Sequence, residues 1–171
     1  MQKLTLAGIG ALAIASAFGI NSLLVATPEP AQELHPHAIA AQADPFEAGE
    51  PGDSKMDFRV IEISMTEGGG TLAFTPGTVQ VKVGERIKFV IKNTGALDHE
   101  FKLDSFANIA KHKIAMEKNP EMIHDEPNGT RLEPSKSGEI LWTFSKVGTF
   151  EFACLIPGHY EAGMHGTVAV R

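Results

Sequence analysis

One loop near the C-terminus reads Ala153-Cys154-Leu155-Ile156-Pro157-Gly158-His159-Tyr160-Glu161-Ala162-Gly163-Met164. A thiol, an imidazole and a thioether thus follow one another at intervals of five residues. These side chains form a soft ligand set, which favours copper over hard cations. A copper site of this kind needs two histidines and one cysteine in a trigonal plane, with a long axial bond to methionine. The second histidine must come from elsewhere, and His99, in Leu97-Asp98-His99-Glu100-Phe101, is the best candidate.

The cysteine count supports this interpretation. Cys154 is the one cysteine among 171 residues, so the chain has no internal disulfide. In an exported protein a free thiol is open to oxidation, and ligation to a metal explains its presence. The alternative is a buried, inert cysteine that acts as a small hydrophobic residue. The neighbouring His159 and Met164 favour the metal.

Net charge limits the classes of partner. The formal charge is -6 and the sequence contains no basic block, so it lacks the electrostatic pattern of a nucleic-acid-binding protein. We therefore expect no nucleic-acid partner. The length suffices for one well-buried domain and an additional tail.

The N-terminus has the pattern of an export signal. Lys3 precedes an apolar run from Leu4 to Ala15, and Ala15-Ser16-Ala17 is a small-residue cleavage pattern. We interpret residues 1–27 as a signal peptide and expect a periplasmic protein. An N-terminal membrane anchor is the alternative, since about 20 apolar residues span a bilayer, and membrane contact is expected only if this segment stays uncleaved. Ala41-Gln42-Ala43 also fits a cleavage site.

Residues 28–55 are predicted to form a flexible leader. They are rich in Pro, Ala, Glu, Gln and Gly and show no periodicity, which is typical of a tether. The leader contains His35-Pro36-His37. We interpret these histidines as part of a flexible linker, with weak metal binding as the alternative, because a disordered chelate loses conformational entropy when it binds.

Residues 56–171 are predicted to form one all-β domain. Alternating apolar and polar residues indicate half-buried strands, in the segments Phe58–Ile63, Val79–Val83, Arg86–Lys92, Glu139–Phe144, Thr149–Ala153 and Thr167–Val170. Glycine, proline and asparagine clusters separate them as turns. Short strands at such spacing favour a β-sandwich with Greek-key connections. A helical insertion is expected around residues 104–119, where Phe106, Ile109, Ala110 and Ile114 have helical spacing.

A family resemblance is carried by three segments. The run Gly148-Thr149-Phe150-Glu151-Phe152-Ala153-Cys154, with Pro157-Gly158-His159 and Gly163-Met164, resembles the copper-binding signature of the cupredoxins, the type 1 blue copper proteins. Phe74-Thr75-Pro76 through Glu85 resembles the opening of those domains, and Asp98-His99-Glu100-Phe101 resembles their upstream histidine motif. The ligand-loop spacing is similar to that of rusticyanin- and auracyanin-type proteins. The whole domain most resembles periplasmic cupredoxins of bacterial copper tolerance.

The resemblance implies a cupredoxin-like sandwich and a role for each ligand. His99 and His159 would be the equatorial imidazoles, Cys154 the thiolate and Met164 the weak axial ligand. One type 1 copper would cycle between Cu(I) and Cu(II), and a redox partner protein would dock near His159. One position departs from the pattern: many cupredoxins follow the first histidine with Asn or Ser, which ties the two ligand segments together, and here Glu100 follows it.

The insertion carries a second set of candidate ligands. His112 and Met116 are four residues apart on one helical face, and Met122 and His124 follow. Thioether and imidazole groups suit Cu(I), so these residues are a candidate second copper site. The alternative is that the methionines cover the end of the sandwich while both histidines are solvated.

Three functional classes compete. A mononuclear type 1 site predicts periplasmic electron transfer. The alternative is a copper-tolerance protein that binds or oxidises excess copper, with the insertion as a second Cu(I) site. A copper enzyme is disfavoured, because Cys154 is flanked by Ala153 and Leu155 and not by histidines. We therefore predict a protein with no catalytic residues.

Overall fold

The computed structural model describes residues 46–122 and 126–171. Within this part the chain forms ten strands and one helix. The strands are β1 Glu50–Pro51, β2 Arg59–Gly68, β3 Thr71–Thr75, β4 Thr78–Val81, β5 Arg86–Asn93, β6 His99–Asp104, β7 Gly129–Leu132, β8 Ser137–Thr143, β9 Gly148–Ala153 and β10 His165–Val170. The helix α1, Phe106–Lys118, lies between β6 and β7. The predicted all-β class and the helical insertion are confirmed.

The strands form two mixed sheets of five strands each in the described part. One sheet has the order β1-β8-β5-β2-β3 and the other β4-β10-β9-β6-β7. The pairs β2–β5 and β4–β10 are parallel, and the other pairs are antiparallel. In the second sheet β9 and β6 are neighbours, with Lys102 opposite Ala153. The start of β6 and the end of β9 therefore come to the same end of the sandwich.

The core between the sheets is aromatic. Phe89 of the first sheet packs against Phe101 of the second, with ring centroids 5.6 Å apart. Phe101 stacks on Phe152 at 5.2 Å, and Phe74 meets Phe152 edge-on at 5.2 Å. Such pairs add about 0.5–1.5 kcal/mol each beyond their buried area. This core holds the end of β9, next to Cys154, in a fixed position.

β6 has no alternation because both of its faces are covered. All six residues of His99–Asp104 are buried, since the strand lies between the core on one side and α1 on the other. Lys102 can be buried because its ammonium group has partners: it donates to Asn128 Oδ1 at 2.8 Å and pairs with Glu126. Burial lowers the pKa of Lys102. A polar side chain in the apolar interior needs such partners.

The helix begins with a side-chain cap and buries one of the residues that the spacing pointed to. Ser105 is the N-cap, and its hydroxyl accepts the Asn108 N–H. Ile109 and Met116 are the buried residues of α1, whereas Phe106 and Ile114 are exposed. The spacing therefore predicted the helix and the burial of Ile109 correctly, but Phe106 and Ile114 of the same set are exposed and Met116 is buried instead.

The folded part begins earlier than residue 56. Glu50–Pro51 pairs with β8, and Ala48 is fully buried. Phe46 meets Trp142 edge-on, with centroids 5.3 Å apart. Residues 46–51 therefore pack on the domain although they lie within the predicted leader. The predicted signal segment 1–27 and leader residues 28–45 lie outside the described residues.

Within residues 46–122 and 126–171, no helix has the length and apolar character needed to cross a membrane.

We predict that Phe46→Ala destabilises the protein by about 2 kcal/mol, because it removes a half-buried ring and its pairing with Trp142. Urea denaturation followed by fluorescence of Trp142, the one tryptophan, measures this. Phe106→Ala is the matched control: Phe106 is 47% exposed, and its loss should cost less than about 0.5 kcal/mol. Equal effects would show that residues 46–51 do not stabilise the domain.

Candidate metal centre

Three of the predicted ligands converge at one end of the sandwich. His99 begins β6, Cys154 follows the last residue of β9, and His159 lies on the loop to β10. His159 Nδ1 is 3.3 Å from Cys154 Sγ and 3.3 Å from His99 Nδ1. One ligand atom from each residue lies within 4.8 Å of the other two. Such distances suit donors that share one ion.

The loop between β9 and β10 is closed by its own backbone. Cys154 N–H donates to Met164 O, and Met164 N–H donates to His159 O, both at 3.0 Å. Gly158 and Gly163 have φ of 87° and 100°, a region that favours glycine. The loop therefore returns to its starting point and brings His159 back over Cys154.

Glu67 orients His99. Its Oε1 accepts His99 Nε2–H at 3.0 Å, Ala96 N–H at 2.9 Å and Leu97 N–H at 2.8 Å. These donors, Leu97 first, lower the pKa of Glu67. Since an ionised carboxylate only accepts hydrogen bonds, Nε2 carries the proton and the Nδ1 lone pair faces the other ligands. A Cβ on Gly95 would lie 2.2 Å from Glu67 Oε1, so this approach requires glycine.

Glu100 joins the two ligand segments. Its N–H donates to Cys154 Sγ at 3.3 Å, and its carboxylate accepts Leu155 N–H at 3.1 Å. Burial raises the pKa of Glu100. Glu100, which stands where many cupredoxins have Asn or Ser, thus also links the His99 and Cys154 segments by hydrogen bonds, through a longer side chain.

Burial controls the protonation of the donors. Cys154 and His99 are completely buried, while His159 is partly exposed. Burial raises the pKa of the Cys154 thiol to about 12, and burial followed by the nearby His99 lowers that of His159. A buried thiol becomes a thiolate when a metal replaces its proton. A thiolate with two neutral imidazoles in a dry site fits copper.

The comparisons with known proteins agree with this donor set. A family model described as copper binding proteins, plastocyanin/azurin family, matches residues 61–171. The chain belongs to this family of copper-binding proteins. It is 42% identical over 153 residues to a "Copper-resistant cuproprotein CopI" of Rubrivivax gelatinosus, covering 86% of this chain and 91% of the relative. A protein of the same name from Pseudomonas aeruginosa is 35% identical over 164 residues, covering 77% and 88%.

A solved structure supports the fold. Auracyanin B superposes with a TM-score of 0.59 at 22% identity, covering 72% of this chain and 96% of auracyanin B. At this identity the likeness concerns the fold alone. It confirms the predicted cupredoxin-like sandwich.

The fourth predicted ligand of this cupredoxin lies at the end of the same loop. The Met164 side chain is completely buried and belongs to the same apolar cluster as Cys154. Its backbone is held by the two hydrogen bonds that close the loop. The axial role of Met164 stays a prediction.

The second set of candidate ligands is divided between two environments. Met116 packs with Ile109, Ala153 and Leu155, and Met122 packs against this cluster. His112 lines a polar cavity next to it, and His124 lies outside the described residues. Apolar packing accounts for the burial of Met116. A Cu(I) site on these residues stays a prediction.

Sequence reasoning missed Glu67. The signal was present in the alternation of β2, where Ile61, Ile63 and Met65 point to the core side and Glu67 is the next residue in that phase. A carboxylate at a core-facing position is uncommon unless it has partners. Its partner His99 is 32 residues away, and the sequence alone does not show this pairing.

We predict that Glu67→Ala weakens Cu(II) binding about 10- to 100-fold, because His99 loses the hydrogen bond that fixes its tautomer and ring orientation. Competition against a chelator of known affinity measures this. Glu62→Ala, on the exposed side of the same strand, removes a surface pair with Lys92 and should leave affinity unchanged. Unchanged affinity in the Glu67 variant would exclude this positioning role.

Proposed function

We propose that this cupredoxin is an exported copper-resistance protein that holds one copper ion in a mononuclear type 1 site. The observation that carries the proposal is the convergence of His99 Nδ1, Cys154 Sγ and His159 Nδ1 in a buried pocket. The CopI relatives support the physiological role, since they are named for copper resistance and align over most of their length. The signal-like N-terminus supports a periplasmic location.

Four residues would hold the ion. His99 and His159 supply imidazole nitrogens, Cys154 the thiolate and Met164 a weak axial thioether. Bound copper supplies one-electron exchange between Cu(II) and Cu(I). The protein keeps the donors in place through the hydrogen bonds of Glu67 and Glu100 described above. These bonds fix the orientation of the donors, so little rearrangement of the ligands would accompany a change of charge.

Electron exchange would take place at the exposed edge of His159. His159 is the partly exposed member of the three converging ligands. Leu97, next to the His99 segment, is 49% exposed, and Pro157 is exposed on the ligand loop. Exposed apolar residues on the two ligand segments suit brief contact with a redox partner protein. We therefore place the docking site around His159.

We infer that the chain is not an enzyme by itself. Cys154 is flanked by Ala153 and Leu155, so its neighbours provide no imidazoles through which electrons would pass to further copper ions. A single redox site suits the transfer of electrons and the binding of copper. Assaying the copper-loaded protein for oxidation of added Cu(I) under air tests this inference, and multiple turnovers would contradict it.

We predict that Cys154→Ser abolishes the intense visible absorption of the Cu(II)-loaded protein, because that band requires a bond between copper and the thiolate. Optical and EPR spectra after addition of one equivalent of Cu(II) measure this. Circular dichroism controls for folding. The same variant should lose the ability to raise copper tolerance in a copper-sensitive bacterial strain. Retention of the full band would exclude Cys154 as a ligand.

We predict that Met164→Leu leaves copper bound and raises the reduction potential, since it removes a donor that stabilises the more electron-poor Cu(II). Protein-film voltammetry measures the potential. Met116→Leu is the matched control, because Met116 is also buried but lies in the helix cluster. A potential that is unchanged in Met164→Leu would exclude the axial role.

A further inference from the structure

A cavity lies between α1 and the strands that carry the ligand loop. Its volume is about 410 Å³, and it opens to solvent. Phe106, Ile109 and Tyr160 contribute apolar walls, while Glu151 and His165 contribute polar groups. None of these residues belongs to the proposed type 1 ligands. The cavity is therefore separate from the proposed type 1 site.

Glu151 is a buried carboxylate in the wall of this cavity. The residue is 2% exposed and lies on β9, three residues before Cys154. Its Oε1 accepts the Tyr160 hydroxyl at 2.9 Å. An ionised carboxylate at this depth is costly unless it is paired or coordinates a metal. The Tyr160 hydroxyl satisfies part of this requirement and fixes the carboxylate.

His165 faces the same carboxylate oxygen of Glu151 as the Tyr160 hydroxyl. Its Nδ1 is 3.6 Å from Glu151 Oε1, which is too long for a hydrogen bond. Two donors that bind one ion at about 2.0–2.2 Å lie up to about 4.4 Å apart, so this distance suits a shared metal. The imidazole stacks on the Tyr160 ring with centroids 4.7 Å apart, and 44% of the side chain is accessible.

The charge around the cavity favours a cation. Lys113 lines the wall, but its ammonium group bonds Glu161 at 2.6 Å and Glu117 at 3.0 Å. These two carboxylates outweigh the one lysine, and Glu151 adds a third acidic group. A negative cleft raises the local concentration of cations.

We propose that Glu151 and His165 form a second metal site, which binds Cu(II) in this cavity. Oxygen and imidazole donors suit Cu(II) better than the softer Cu(I), and Cu(II) binds more tightly than the other divalent first-row metals. Water fills the remaining coordination positions from the open side. Tyr160 is a positioning residue that orients Glu151. The site adds copper capacity to the chain and goes beyond the proposed type 1 function.

The test uses the full chain with the other candidate Cu(II) ligands removed. His99→Ala, Cys154→Ser and His159→Ala remove the proposed type 1 donors, and His35→Ala with His37→Ala removes the leader pair. Titration with Cu(II), followed by EPR and calorimetry, should show one equivalent with an ordinary, weakly coloured Cu(II) signal. Adding His165→Gln or Glu151→Gln should lower its affinity about tenfold or more, as expected for the loss of a donor.

His112→Gln is the matched control, since it removes a histidine from the neighbouring polar cavity and should change the affinity less than twofold. Because the multiple variant risks misfolding, the same comparison is made in the chain that carries only His35→Ala and His37→Ala, loaded with one equivalent of Cu(II) and then given a second. There His165→Gln should again lower the affinity for the second Cu(II) about tenfold or more, seen as a weaker second EPR signal.

The proposal is overturned if the His165 variant binds the second Cu(II) as tightly as its parent, or if His112→Gln removes it instead. Failure of the type 1 proposal would give a different experimental result. In that case the wild-type chain lacks the intense visible band, while the cavity signal and its dependence on His165 are unaffected.

Discussion

Burial of the Cys154 sulfur against the backbone of β6 is the constraint on which the metal centre depends. The Glu100 N–H donates to Sγ, and the Glu100 carboxylate accepts the N–H of Leu155. These two bonds join segments that are 54 and 55 residues apart in sequence. They hold the start of the ligand loop against the residue that follows His99. Both histidines can then face the sulfur without any rearrangement of the sheet.

Polar side chains on β2, β6 and β9 are held in place by specific hydrogen-bond and ion-pair partners. Glu67 binds His99 and two backbone N–H groups, and Lys102 binds Asn128 and Glu126. Glu151 accepts from Tyr160. The helix allows Lys102 and Glu151 to be buried, because it covers β6 and β9 on the side away from the core. A bare sandwich would expose these strands to water, and their polar side chains would need no fixed partners.

The proposed type 1 site and the proposed cavity site share their supporting elements. β9 carries Glu151 and leads to Cys154, while Tyr160 follows His159 and His165 follows Met164. A loop that is closed by backbone hydrogen bonds thus presents soft donors on its buried side and harder donors towards the helix. A protein concerned with copper resistance would gain capacity from the second site without disturbing the first.

Much of this architecture could be predicted from the sequence because the signals are local. The spacing of Cys154, His159 and Met164 lies within one loop, and the alternation of Arg86–Asn93 reports a strand with one buried face. The apolar spacing of Phe106, Ile109 and Ile114 predicted α1. The copper-binding family could be predicted from the same short motifs, because a thiolate, an imidazole and a thioether on one loop form a ligand set that favours copper over most other metals.

The tertiary structure decided the features that depend on distant partners. β6 shows no alternation because both faces are covered, and Ala48 and Phe46 pack on a strand that lies more than 90 residues later. Glu67 orients His99 only through the pairing of segments 32 residues apart. The buried face of α1 was set by where β9 and Leu155 lie, so Met116 is covered while Ile114 is exposed. Local periodicity reports which residues prefer to be buried, but the neighbouring elements determine which of them are.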